Sequence, residues 1–260
     1  MNRIVQSFQS LRSAGRKGVI AYLTAGDPDL ETTGELVLEL AHRGAAMVEL
    51  GVPFTDPVAD GPVIQAASAR ALQNGVTLDH VLSLAGQLRL KTDIPLLIMT
   101  YYNPVFSYGI NCFVDDAHKS GIDGLIVPDL PLEESETLNR ALNNVGMHLI
   151  YLLSPTSSTE RIDATVQQAG GFIYCVSSKG VTGVRSEIPA SARDLLRRVR
   201  SLTELPLALG FGISSPEQVE SLGDEGDAVI IGSAIVSLVE EGGQTREIRE
   251  RVGGYIETFR

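Results

Sequence analysis

Two carboxylates in one short segment of the chain could together carry out proton transfer. Glu49 lies in the apolar run 45–51, and Asp60 lies in the proline-punctuated loop that follows it. Burial among apolar residues favours the protonated form of a carboxyl group, whereas a polar loop leaves a carboxylate ionised. A pair in two such environments can act as general acid and general base in one reaction, so the segment predicts acid and base catalysis.

A third carboxylate in this segment, Asp56, has a simpler interpretation as a turn or cap residue, since it precedes Pro57. That interpretation fits Asp60 less well. If Pro62 takes the first helical position, Gly61 becomes the N-cap and Asp60 keeps a free side chain. Asp60 is therefore the better candidate for chemistry.

Glycines follow three late apolar runs and indicate a site for an anion. Backbone N–H groups exposed by glycine, with a helix N-terminus aimed at the same point, can bind phosphate without lysines. Each glycine alone could serve only a tight turn, but the three segments together favour a phosphate site. They are Lys179-Gly180-Val181-Thr182-Gly183, Gly210-Phe211-Gly212, and Gly232-Ser233 at the start of a short helical stretch.

Eight short aliphatic runs, each followed by a stretch of helical periodicity, must position these groups. Nearly continuous apolar runs are typical of strands covered on both faces, so we expect a parallel sheet. The pattern predicts an α/β chain in which residues 1–260 form a single (β/α)8 barrel domain, preceded by a short helix over 4–11. A doubly wound open sheet is the alternative. The runs are 18–23, 45–51, 94–101, 124–127, 147–153, 171–177, 205–211 and 228–231.

The connection after the second run carries an insertion, because two helical patterns, 62–73 and 78–89, precede the third run. Insertions near strand ends usually serve a site or an interface. Within the second run, the parity of Val48 and Leu50 suits the helix-facing side, which leaves Glu49 pointing into the barrel. A register one residue off would instead place Glu49 on the outer face in a salt bridge.

Composition excludes several classes of protein. The chain has 260 residues, of which 43% are hydrophobic and 20% charged, as in soluble globular proteins. Its 21 Lys and Arg against 32 Asp and Glu give a net charge of −11, which disfavours nucleic acid and anionic membranes as partners. The longest apolar stretch, 228–239, is too short to span a bilayer, and the first residues lack a signal-type core.

Metal and nucleotide cofactors are disfavoured. The two cysteines, Cys112 and Cys175, have no CxxC spacing, so a reducing, cytoplasmic setting fits best. Asp129, just after the fourth run, is either a rim residue or a turn former, and tyrosines inside strands are more often core than catalytic. There is no nucleotide-binding glycine loop. The histidines are scattered without metal-binding spacing, at His42, His80, His118 and His148.

The segment from Glu49 to Pro62, ELGVPFTDPVADGP, closely resembles the signature of the tryptophan synthase alpha subunit family. This resemblance implies a (β/α)8 barrel and a lyase of tryptophan biosynthesis. The reaction would be the retro-aldol cleavage of indole-3-glycerol phosphate to indole and D-glyceraldehyde 3-phosphate, with no cofactor in this chain. Agreement extends to Gly26-Asp27-Pro28, Gly180-Val181-Thr182-Gly183, Gly210-Phe211-Gly212-Ile213-Ser214-Ser215-Pro216 and Gly232-Ser233-Ala234-Ile235-Val236.

The same resemblance implies roles for individual residues. Glu49 would protonate C3 of the indole ring and then take the proton of the neighbouring glycerol hydroxyl, while Asp60 would bind or deprotonate the indole N–H. Tyr22 stands where the family often has phenylalanine, and Asn103-Pro104 replaces a commoner Asn-Leu. The resemblance assigns Tyr174 to support of the glutamate, Tyr22, Ile64, Met99, Ile126 and Phe211 to the indole pocket, Gly183, Gly212, Gly232 and Ser233 to phosphate, and Thr182 to a closing loop.

A protein partner is also implied. The family's alpha subunit works with a pyridoxal-phosphate beta subunit in an alpha2-beta2 heterotetramer, and the beta subunit receives the indole. Apolar and proline-bearing loops around the barrel mouth suit a docking surface. The expected contact residues are Asp56, Pro57, Asn103, Phe106 and Tyr108.

Three alternatives remain open from the sequence. A Schiff-base aldolase using Lys179 is disfavoured, because this lysine borders the glycine loop and the substrate offers no carbonyl. A non-catalytic activating subunit would have no chemical reason to keep both Glu49 and Asp60. A free-standing lyase that needs no partner is not separated from the partnered form by any residue.

Overall fold

Eight parallel strands form the centre of the molecule in a computed structural model, which describes residues 2–177, 188–210 and 212–259. Each strand overlaps one of the predicted apolar runs, because aliphatic residues can cover both faces of a buried strand. The strands are β1 (Gly18–Thr24), β2 (Met47–Gly51), β3 (Leu96–Met99), β4 (Gly124–Ile126), β5 (His148–Leu153), β6 (Ile173–Val176), β7 (Leu207–Gly210) and β8 (Ala228–Ile231).

The sheet closes on itself because β8 pairs with β1, with Gly18 opposite Ala228 and Ala21 opposite Ile231. Neighbouring strands follow the order of the chain, and every pair is parallel. A doubly wound sheet has two open edges, so the closure excludes that alternative. The prediction of a (β/α)8 barrel is confirmed.

Helices surround the barrel, and two of them, α3 and α4, form the predicted insertion between β2 and β3. No helix in the described ranges is both long and apolar enough to cross a bilayer. The helices are α1 (Arg3–Ser13), α2 (Leu30–His42), α3 (Pro62–Gln73), α4 (Leu78–Arg89), α5 (Tyr102–Tyr108), α6 (Ile110–Lys119), α7 (Glu136–Asn144), α8 (Thr159–Gln168), α9 (Ala190–Arg200), α10 (Pro216–Glu220), α11 (Ser233–Glu240) and α12 (Thr245–Glu257).

Strand alternation divides the core into an inner and an outer layer. Val48 and Leu50 pack in the outer layer with residues of the helices, and Met47 packs inside the barrel, as the sequence predicts. Burying one aliphatic side chain contributes about 1.5–3 kcal/mol, so both layers stabilise the closed sheet. The inner layer includes Ile20, Met47, Leu97, Ile126, Ile150, Tyr174, Ala208 and Ile230.

Helix α1 fills the end of the barrel where the strands begin. Ile4 and Phe8 are buried in the inner layer, and the ring of Phe8 lies 5.6 Å from that of Phe172. At the start of α1, the amide of Asn2 donates to the carbonyl of Asp123, directly before β4. The opposite end, where the strands finish, is called the mouth below.

Helix α5 follows β3 directly, in a stretch where the sequence predicted a strand to residue 101 and then a loop. Two features explain this helix. Pro104 lies in its first turn, where a backbone N–H has no partner within the helix. The carboxylate of Asp129 accepts the N–H of Tyr102 at 2.9 Å, so the cap comes from the loop after β4. Asp129 is therefore a rim residue that holds the start of α5.

Candidate active site

Glu49 lies on β2, two residues beyond Met47 of the inner layer, and therefore points into the barrel. It is level with Tyr22 of β1 and Leu97 of β3. Glu49 is only 1% exposed, and neither of its carboxylate oxygens has a hydrogen-bond partner in the described part of the chain. The alternative register, with Glu49 in a salt bridge on the outer face, is wrong.

The surroundings of Glu49 favour its protonated form. Burial raises the pKa of this carboxyl to about 8, and the negative charge of Asp60 contributes to the rise. A carboxyl with such a pKa carries a proton at neutral pH and can still release it to a substrate. Glu49 can therefore donate a proton and later take one back.

Asp60 lies at the start of α3, where Gly61 is the N-cap and Pro62 the first helical residue, as predicted. The predicted free side chain is wrong, because the hydroxyl of Tyr101 donates to Asp60 Oδ2 at 3.0 Å. Burial raises the pKa of Asp60, and this hydrogen bond opposes the rise by favouring the charged form. Asp60 is thus held as an acceptor, with its second oxygen directed to no described residue.

Tyr101 is a residue of this site that the sequence did not single out. Its hydroxyl accepts the N–H of Ala59 at 3.0 Å while donating to Asp60. Its ring stacks on Phe54, with the ring centres 5.1 Å apart. Tyr101 therefore contacts both ends of the loop between β2 and α3. The available signal was its position as the last residue of the third apolar run, where a residue reaches the mouth.

Tyr174 on β6 is buried in the inner layer and lies close enough to Glu49 for that carboxylate to raise its pKa, in addition to the effect of burial. A Cβ added to Gly210 on β7 would lie 2.5 Å from the Tyr174 ring. Gly210 therefore makes room for the tyrosine. The sequence predicted an anion site for the segment that begins at Gly210, whereas this glycine leaves space for the Tyr174 ring.

The predicted indole-pocket residues fall into two adjoining apolar groups. Tyr22, Ile64 and Met99 belong to one cluster, which is completed by Ala67 and Val236 from α3 and α11. Met99 also packs against the inner layer, which contains Ile126. These residues bring apolar surface to the mouth beside Glu49. The fifth predicted residue, Phe211, lies outside the described residues.

Three of the predicted phosphate-binding residues lie after β7 and β8. Gly212 has a φ of +80°, in the region that favours glycine, and is exposed. Gly232 is the N-cap of α11, and Ser233 is the first residue of that helix and is exposed. No side chain in the described ranges caps α11, so its first N–H groups can face an anion. Thr182, Gly183 and the rival lysine Lys179 lie outside the described residues.

The structure exposes some of the expected partner contacts and partly buries others. Asp56 and Asn103 are exposed, Pro57 is half-buried, and Phe106 on α5 is 64% exposed. Val58, which the sequence did not single out, is 81% exposed in the same loop as Asp56. We call Asp56, Pro57, Val58, Asn103 and Phe106 the docking face.

Tyr108 differs from these residues. It is half-buried, its hydroxyl donates to Asp116 of α6 at 3.0 Å, and its ring packs edge-on against Phe113. Tyr108 therefore joins the end of α5 to α6. Elsewhere, no group of three His, Cys, Asp or Glu within the described ranges is placed to hold a metal ion.

Comparison with known proteins adds a family to this geometry. Residues 8–257 match the protein family described as tryptophan synthase alpha chain. The tryptophan synthase alpha chain of Geobacter sp. (strain M21) is 46% identical over 260 residues, covering 100% of this chain and 97% of that protein. The one from Synechocystis sp. (strain ATCC 27184 / PCC 6803 / Kazusa) is 47% identical with the same coverage.

Solved structures agree with the barrel described above. Tryptophan synthase subunit alpha from Legionella pneumophila str. Paris superposes with a TM-score of 0.89 at 34% identity, covering 100% of this chain and 97% of that one. A chain from the tryptophan synthase a2b2 complex of Pyrococcus furiosus gives a TM-score of 0.88 at 39% identity, covering 93% of this chain and 97% of that one.

Proposed function

This chain belongs to the tryptophan synthase alpha chain family, and we propose that Glu49 and Asp60 at the barrel mouth carry out its reaction. That reaction is the cleavage of indole-3-glycerol phosphate to indole and D-glyceraldehyde 3-phosphate, a lyase step of tryptophan biosynthesis. The observation that carries the assignment is the buried carboxyl of Glu49, which has no hydrogen-bond partner among the described residues and lies near the charge of Asp60.

Glu49 serves two proton transfers in turn. In its protonated form it gives its proton to C3 of the indole ring, which weakens the bond from C3 to the glycerol chain. As that bond breaks, its electron pair returns to the ring, and the neighbouring glycerol hydroxyl becomes the aldehyde carbonyl. The proton of this hydroxyl passes to the Glu49 carboxylate, which restores the starting state. A pKa of about 8 suits both directions near neutral pH.

Asp60 acts on the other side of the ring. Protonation of C3 places positive charge on the indole nitrogen, and a carboxylate that accepts its N–H stabilises this charge. The hydrogen bond from Tyr101 supports the ionised form of Asp60 and fixes its orientation. Tyr174 lies near Glu49 in the inner layer and would help to position its carboxyl.

The indole ring and the phosphate of the substrate fit the residues predicted to bind them. The flat ring fits the apolar cluster of Tyr22, Ile64 and Met99, with Ile126 and Phe211 as further contacts. The phosphate fits the N-terminus of α11 at Gly232 and Ser233, together with Gly212 and Gly183. The family resemblance assigns Thr182, outside the described residues, to closure of the site over the substrate.

We expect Asp60→Asn to lower kcat for indole release roughly 10- to 100-fold, with a smaller change in KM. The amide oxygen still accepts the indole N–H, but the negative charge that stabilises the protonated ring is lost. Steady-state kinetics with indole-3-glycerol phosphate measure the effect. Asp115→Asn, at an exposed position on α6, is the control and should keep the full rate. An Asp60→Asn enzyme with normal kcat would remove Asp60 from the mechanism.

The partner we propose is a beta subunit, in an alpha2-beta2 heterotetramer that holds pyridoxal phosphate in the beta subunit and none in this chain. The family assignment supports this, and the Pyrococcus furiosus relative was solved as part of an a2b2 complex. The docking face supplies large exposed apolar side chains, Val58 and Phe106, after the neighbouring strands β2 and β3. Cytoplasmic location and a single domain over 1–260 complete the proposal.

Phe106→Ser tests the docking face. We expect the concentration of beta subunit that gives half-maximal activation of indole release to rise roughly tenfold or more, since exposed aromatic side chains often dominate interfaces. The matched control is Leu90→Ser. Leu90 is 88% exposed at the end of α4, where the chain returns to the start of β3 at the opposite end of the barrel. Equal activation of both variants would place the partner elsewhere.

A further inference from the structure

The hydroxyl of Tyr22 is a polar group of the candidate site that the proposed mechanism leaves without a role. Tyr22 lies on β1 level with Glu49 and is only 7% exposed. Its ring shares an apolar cluster with Ile64 and Val236. An apolar wall needs the ring alone, so the hydroxyl requires a separate explanation.

The phenol oxygen lies on the inner face of β2. A Cβ built on Gly51 would lie 2.0 Å from this oxygen, so the hydroxyl occupies the space that a side chain at Gly51 would fill. Gly51 follows Glu49 by two residues and presents the same face of the strand. Gly51 lies roughly 7 Å along the strand from Glu49, so the hydroxyl lies on the mouth side of the Glu49 backbone.

Both catalytic carboxylates lie near this hydroxyl. Burial raises the pKa of Tyr22, and the negative charges of Asp60 and Glu49 raise it further. The phenol consequently keeps its proton throughout the neutral pH range. It can therefore act as a hydrogen-bond donor close to both carboxylates.

The phenol donates its hydrogen to no residue in the described part of the chain. The contact made by the phenol oxygen is as an acceptor, from Thr24 Oγ1 at 3.4 Å. Burying a donor without an acceptor is unfavourable, and buried polar groups in proteins are nearly always paired. The geometry leaves the Tyr22 hydrogen for a bound molecule.

We propose that the Tyr22 hydroxyl donates a hydrogen bond to the glycerol oxygen of the substrate that Glu49 deprotonates. The inference rests on the proposed function above. While the bond from C3 of the ring to the glycerol carbon breaks, this oxygen loses its proton to Glu49 and gains negative charge before the carbonyl forms. A donor fixed in advance stabilises that charge. The Tyr22 proton is shared and never transferred.

The test is Tyr22→Phe, which removes one buried oxygen and keeps the ring. We expect kcat for cleavage of indole-3-glycerol phosphate to fall roughly 10- to 100-fold. Indole-3-propanol phosphate, which lacks both glycerol hydroxyls, serves as the second probe. Its Kd, measured by calorimetry, should stay within about twofold of the wild-type value, because the ring and phosphate contacts are unchanged.

Tyr151→Phe is the matched control, because it removes a phenol oxygen that bonds Ser135 in the outer layer, and it should keep the full kcat. A normal kcat in Tyr22→Phe would overturn the proposal. A loss of affinity for the hydroxyl-free probe as large as the loss in kcat would also overturn it. Tyr22 would then act only as an apolar contact of the indole pocket. Failure of the proposed function itself is distinguishable, because it would appear as normal turnover in Glu49→Gln.

Discussion

We expect Glu49→Gln to lower the rate of indole release roughly 10²- to 10⁴-fold while KM for indole-3-glycerol phosphate changes little. Glutamine matches the shape of the protonated glutamate but can neither give its proton to C3 nor take the hydroxyl proton. Since neither carboxylate oxygen of Glu49 bonds to a described residue, the substitution breaks no hydrogen bond within that part of the chain. Steady-state kinetics at pH 7 measure the loss.

Glu39→Gln is a suitable control for this experiment. Glu39 is also a buried glutamate, but it lies on α2 and pairs with Arg43 and Arg249 outside the barrel. The control should lose stability and keep its turnover. Near-normal turnover in Glu49→Gln would mean that another group moves both protons, and the assignment of Glu49 would be withdrawn.

The second large effect concerns stability. The pKa of Glu49 is raised in the folded chain from the ordinary 4.5 to about 8, so folding favours the protonated carboxyl. The stabilisation is fully present below pH 4.5 and is lost as pH rises toward about 8. Linkage sets the loss by pH 7 at about 3 kcal/mol in the free energy of unfolding, since each pKa unit corresponds to about 1.4 kcal/mol.

Glu49→Gln should remove this dependence, because the glutamine is neutral at every pH. Urea unfolding at pH 5 and at pH 8 measures it for both proteins. We expect the variant to gain about 3 kcal/mol relative to the wild type between the two pH values. Asp60 titrates in both proteins, so the difference between them isolates Glu49. Parallel stability curves would show that Glu49 is not buried in its neutral form.

The barrel could be predicted from the sequence because its determinants are local. Each strand is a short aliphatic run, and the parity of Val48 and Leu50 alone orients Glu49 inward. Gly61 and Pro62 define the start of α3 for the same reason, since both fix the backbone at their own positions.

The partners of the site could not be predicted in this way. The hydrogen bond from Tyr101 to Asp60 joins residues 41 positions apart, so no local pattern contains it. Helix α5 was missed for a related reason, because its cap, Asp129, comes from the loop after another strand. The position of the Tyr22 hydroxyl depends on Gly51, which leaves space for it on the neighbouring strand. That pairing of strands cannot be read from the sequence around Tyr22.

Helix α1 bears on which end of the barrel small molecules can use to reach the candidate site. Ile4 and Phe8 close the barrel at the end where the strands begin, so within the described part of the chain the candidate site is approached from the mouth. The proposed substrate would then enter, and its products would leave, at that end. A protein bound to the docking face beside the mouth would stand on this route and could collect the indole there.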